Sequence, residues 1–258
     1  MNLTWMLALV LAIAVSLTAV AVAAAEKPTV VQAGNVILTF NSSISPKKLP
    51  KQQFAPIAFH ASGTIATTDG SQPPALREVV VDAYKGAEVD VSGQPVCSEG
   101  KLRAEDTKQA EAACPGAILG RGTTTVRVAF PESTPFEATG PLLYFNGGSR
   151  GGVTTLYIQA YVAVPAPTAI VSTVRITKED KGPYGLHLVG SIPPIAGGSG
   201  SVISFAFGFP RSVGYGAKNH SYLLARCATG LLYARVQTIF SDGTDVTGNV
   251  VRTCKQEG

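Results

Sequence analysis

The chain has 258 residues, 15% of them charged, with a formal net charge of +4. So small and diffuse a charge excludes the basic footprint of a nucleic-acid-binding protein. Gly and Pro number 27 and 17, and Val, Ile and Thr dominate the runs between them, which favours strands over helices.

Residues 1–25, MNLTWMLALVLAIAVSLTAVAVAAA, hold no charged side chain and end in small residues that satisfy an A-x-A rule at Ala23 and Ala25. The segment reads as a secretory signal peptide cut before Glu26. It lacks a basic n-region, and its apolar run approaches the roughly 20 residues that span a bilayer, so an uncleaved N-terminal anchor is the alternative. Either way the remainder lies outside the cytoplasm, secreted or held at the envelope, and it meets a membrane only if the leader is retained.

After the leader come short apolar runs bounded by turn residues: NVILTF, IAFHASGTIA, LREVVVDAY, TTTVRVAF, FEATGPLLYF, TTLYIQAYVAV, AIVSTVRITK, LHLVGSI, SVISFAFGF, SYLLARC, LLYARVQTIF and VTGNVVRTC. All read as strands, and the alternation in Thr125-Val126-Arg127-Val128 fits a sheet with one wet face. Lys47, Lys48 and Lys51 form a solvated loop between two of them. The exception is residues 101–114, whose Ala, Glu, Lys and Gln content predicts a short helix ended by Pro115-Gly116.

Four cysteines in an exported chain predict two disulfides. Of the three pairings we favour the sequential one, Cys97 with Cys114 and Cys227 with Cys254. The three histidines, His60, His187 and His220, show no paired ligand spacing, and no C-x-x-C occurs, so neither a metal nor another cofactor is expected.

Repeats give the domain expectation. Cys97-x-x-Gly100-x-Leu102-x-Ala104 aligns with Cys227-x-x-Gly230-x-Leu232-x-Ala234, and Gly63-Thr64-Ile65 with Gly190-Ser191-Ile192 at nearly the same separation. Further on, Phe130 and Gly140 align with Phe240 and Gly248, closer together by about 20 residues, which makes the predicted helix an insertion in the first copy. The expected fold is all-β: two tandem antiparallel sandwich-like units from an internal duplication, at 26–146 (helix near 101–114) and 153–258, joined by a turn at 147–152.

Candidate chemistry is sparse. Gly147-Gly148-Ser149-Arg150-Gly151 fits G-x-S-x-G, but a nucleophile elbow needs a helix after the serine. Here VTTLYIQAYVAV follows, and no catalytic residue is assigned. Asp242, Asp245 and Asn249 offer oxygen ligands for calcium, though Asp242-Gly243 reads more simply as a hairpin turn. IAGGSGSV lacks the G-K-[ST] of a phosphate loop. The carboxylates Asp82 with Glu88 or Asp90, and Glu132 with Glu137, lie in or beside strands without a spacing that singles out a pair. Trp5 falls in the leader, leaving only tyrosines such as Tyr144, Tyr157, Tyr184 and Tyr233 for stacking on a sugar.

The peptides TTDGSQPPALREVVVD, FNGG, AYVAVPAPTAIV, DKGPYG, IAGGSGSV and SYLLARC resemble, in this order, segments of a family of exported β-rich proteins of soil actinobacteria. That family has no assigned activity, so the resemblance implies an exported bacterial protein and no site residue. The expected function is non-catalytic binding or scaffolding of an envelope component. The alternative is a secreted enzyme that acts on envelope or environmental polysaccharide through carboxylates on a sheet face.

Overall fold

The computed structural model describes residues 26–103, 106–163, 167–215 and 218–257. The leader and Ala104 of the repeat alignment therefore lie outside the described residues.

The fold is all-β. Its principal sheet has twelve strands, numbered here in chain order: β1 (Thr29–Ala33), β2 (Val36–Ser45), β3 (Ala58–Thr67), β4 (Leu76–Tyr84), β5 (Ile118–Val128), β6 (Phe136–Arg150), β7 (Val153–Val162), β8 (Thr168–Lys181), β9 (Tyr184–Ser191), β10 (Gly200–Phe209), β11 (Leu231–Phe240) and β12 (Asp245–Thr253). Every neighbouring pair in this sheet is antiparallel.

Their spatial order is β1-β2-β3-β10-β5-β6-β7-β8-β9-β4-β11-β12. This order corrects the expected organisation, because the two halves of the chain do not stand side by side as separate sandwiches. β10, from the second half, lies between β3 and β5, while β4, from the first, lies between β9 and β11. In all other places the halves keep to themselves, so each strand of the first six has its sixth successor in the equivalent place. The segment 147–152, expected to be a linker, is the tip of the β6–β7 hairpin. Gly151 and Gly152 turn it with φ of +58° and +78°, the left-handed pair that two-residue hairpins favour.

The sheet curls until its edges meet. Val31 of β1 packs against Gly248 of β12, so that a β-carbon on Gly248 would stand 2.8 Å from a Val31 methyl. Alternation turns Val36, Leu38, Ile65, Phe240 and Val246 inward into one buried cluster with Val31 and Ala33. Fully burying a side chain such as Phe240 contributes about 1.5–3 kcal/mol. A polar clasp closes the same seam: Glu26 accepts from Thr253 N at 2.8 Å and Thr253 Oγ1 at 2.5 Å, and Arg252 Nε lies 3.3 Å from its other oxygen. Burial opposes ionisation of Glu26, but the bonds from Thr253 and Lys47 prevail and hold its pKa below the usual value.

The helical segment covers the outer face of β6. Its α-helix is α1 (Thr107–Ala113), shorter than the composition suggests because it begins where Asp106 and Gln109 form a capping box. Ala110 and the Cys97–Cys114 disulfide pack on Leu143 and Phe145. The second disulfide, Cys227–Cys254, sits with Leu49, Ile57 and Ala225 in a cluster at one end of the sheet. The pairing is thus the sequential one.

Candidate functional site

The strand exchange places a carboxylate in a buried position. β4 runs between β9 and β11, and the register sets His187, Asp82 and Arg235 abreast on its outer face. The Asp82 side chain is only 3% exposed, whereas those of His187 and Arg235 are 35% and 51% exposed. A carboxylate can be so buried only if its oxygens are satisfied. Here Oδ1 meets His187 Nδ1 at 2.7 Å, and Oδ2 accepts from Arg235 Nε at 2.8 Å and from Arg235 Nη2. Burial pushes the Asp82 pKa up, but these bonds and the Arg235 charge outweigh it and hold the carboxyl below its usual value.

Tyrosines frame the triad. The Arg235 guanidinium lies over the Tyr184 ring at 5.5 Å. Tyr233 packs on Tyr184 edge-on, with centroids 6.2 Å apart, and against Tyr84 at 4.7 Å. Behind His187 stands Glu179, its side chain 8% exposed, with Lys181 Nζ 3.6 Å from Oε2 and no hydrogen-bond partner for Oε1. Asp82, Glu179 and His187 bring their ligand atoms within 4.8 Å of one another. A cation bound there would meet the positive charge of Arg235 at its first carboxylate, so the donor set does not fit a metal. The arrangement can orient an imidazole and present a cation beside aromatic rings. It cannot lend Asp82 to acid–base chemistry, because both of its oxygens are engaged.

The other sequence candidates fall elsewhere. Glu88 pairs with Lys178 at 3.9 Å, and Asp90 accepts from Ser92 N and Oγ in its own turn, so neither joins Asp82. Glu137 pairs with Arg127 across β5 and β6, and Glu132 lies in the exposed turn before β6. Asp242 accepts from Thr244 N and Oγ1 in the β11–β12 hairpin, and Asp245 accepts from Thr247 Oγ1 and Gln237 Nε2, which commits the carboxylates considered for calcium. Ser149 lies in β6 paired with Thr154, and its Oγ is 2.7 Å from Thr154 Oγ1. With a strand on both sides there is no elbow. Ser149→Ala is expected to shift stability by less than about 0.5 kcal/mol in urea titration, as at an ordinary surface site.

Comparisons of the chain with protein-family models, curated proteins and solved structures found no match. Among the described residues no helix is long and apolar enough to cross a membrane, and the two disulfides fit an oxidising compartment.

Proposed function

We propose that this is an exported, non-catalytic binding protein of the bacterial envelope, built by internal duplication, that recognises a polar ring-bearing ligand such as a cell-wall glycan on the outer face of β9, β4 and β11. The observation that carries the reading is the use of the buried Asp82 carboxylate. Asp82 is spent on holding Arg235 and His187 in place, while Arg235, His187, Tyr184 and Tyr233 keep part of their surface exposed. A sheet face with tyrosine rings beside fixed donors suits a hydroxylated ring, whose apolar face stacks while its edges accept hydrogen bonds. Export is supported by the leader-like residues 1–25, the oxidised cysteines and the resemblance to exported actinobacterial proteins. Duplication is supported by the aligned motifs and the six-place repetition of the strand order.

The test is a binding assay with soluble peptidoglycan fragments and neutral polysaccharides. Tyr184→Ala and Tyr233→Ala are each expected to weaken binding of the recognised glycan about tenfold, the effect of removing roughly 1.4 kcal/mol of stacking. Retention of full affinity by both variants would remove this surface from the reading. The hydrolase alternative has one observation in its favour, the His187–Asp82 pair, which resembles an oriented general base. It requires release of reducing ends that stops in a folded His187→Gln protein.

A further inference from the structure

The six-place repetition of the sheet sets a second trio of residues abreast. On β3, β10 and β5, His60 faces Gly208 and Gly208 faces Arg121, as His187 faces Asp82 and Asp82 faces Arg235 on β9, β4 and β11. His60 and His187 have the same separation in sequence as Gly63 and Gly190. Two of the three side chains are therefore the same, and the carboxylate between them is missing.

The His60 ring lies over Gly208, and beside it the surface is hollow. His60, Arg121, Asn41, Ser43, Ser62 and Thr123 line a recess of about 540 Å³, within the range of small-molecule sites, about 300–1,000 Å³. A β-carbon built on Gly208 would stand 2.5 Å from His60 Nδ1. The imidazole thus leans its Nδ1 over the glycine, and in the first trio that same atom holds the aspartate. Arg121 is held from outside the recess by Glu111 of α1, a pair whose side chains are 59% and 36% exposed. Such exposed pairs contribute little and exchange readily.

We propose that this recess binds a small hydroxylated carboxylic acid, such as a uronic acid, with its carboxylate between His60 and Arg121. Asn41, Ser43, Ser62 and Thr123 then supply donors and acceptors to the ligand's hydroxyls. The guest carboxylate takes the part that Asp82 plays from within the chain in the other trio, with the His60 ring turned off Gly208 to meet it. Arginine suits this role because its planar fork meets both oxygens of a carboxylate. The site lies on different strands from the Tyr184–Tyr233 surface, so it stands or falls independently of the glycan reading.

Calorimetry with glucuronate and with glucose tests it on the mature chain. Glucuronate is expected to bind at least tenfold more tightly than glucose, and Arg121→Gln is expected to remove at least tenfold of that affinity. Gly208→Asp supplies the missing carboxylate from the protein and should abolish glucuronate binding while leaving the circular dichroism unchanged, since the nearest atoms its β-carbon meets belong to the exposed His60 ring, which can swing aside. Glu111→Gln frees Arg121 from its outside partner and should tighten glucuronate severalfold, which provides a second readout should Gly208→Asp fail to fold. Equal binding of glucuronate and glucose, or undiminished binding to folded Gly208→Asp, would overturn the proposal. So would a Glu111→Gln protein that binds glucuronate no better than the wild type.

Discussion

Asp82→Asn is expected to lower folding stability by about 3 kcal/mol at pH 7, as when one member of a buried ion pair is removed. The amide keeps the volume of the carboxylate but not its acceptors. One oxygen becomes an NH2: toward the Arg235 fork donor meets donor, and toward His187 it forces the neutral tautomer whose Nδ1 accepts, so in either orientation the Arg235 bonds lose their negative partner at a position 3% exposed. Losing a charge-assisted bond costs about 1.5–3 kcal/mol, and more than one is broken here. The pH dependence separates this from a packing defect. Because the folded Asp82 carboxyl titrates below its usual value, its contribution is fully present above the unfolded aspartate pKa of about 3.9. It is lost as the pH falls through the lower folded value. Urea titrations should therefore show a wide gap between wild type and variant at pH 7 and a closing gap in acid. A gap that stayed constant with pH would mean that Asp82 contributes shape and no charge.

The same residue shows how much was legible in the sequence. Asp82 was visible as a carboxylate in a strand, but composition offered Glu88 and Asp90 as its companions because they are near in sequence. Its true partners, His187 and Arg235, lie more than a hundred residues away and meet it only because β4 crosses into the other half of the sheet. Periodicity and turn residues identify strands locally and carry no information about which distant strand becomes a neighbour. The all-β class, the turn at Gly151-Gly152 and the short helix could be read for that reason, and the strand order could not. One signal was present and would have helped: extending the match of Gly63 with Gly190 three residues back aligns His60 with His187. Glu179 offered none, since its burial depends on the β8–β9 hairpin folding it behind His187.

The strand order also determines what each half of the chain can do alone, and here the largest effect is expected. Residues 26–151 and 152–258, produced as separate chains, should each fail to show a cooperative unfolding transition. β4 finds both of its ladder partners, β9 and β11, in the second half, and β10 finds both of its own, β3 and β5, in the first. Within residues 26–151, β3 and β5 would be left with a strand-wide gap between them and β4 with no partner, an array of unpaired edges prone to aggregate. Mixed together, the two fragments should form a one-to-one complex with the far-ultraviolet circular dichroism of the intact protein. The cut falls at the exposed hairpin tip, where a missing peptide bond breaks no packing. Each disulfide, Cys97–Cys114 and Cys227–Cys254, lies within one fragment. Association would therefore be non-covalent and visible by size-exclusion chromatography under oxidising conditions. Folding of the intact chain should be slow for its size, because β4 cannot pair until strands from the far half have formed beside it and the intervening loop entropy has been overcome. A fragment 26–151 that unfolded cooperatively by itself would mean that the first half closes its own sheet without β10, and the exchange of strands would then be dispensable to the fold.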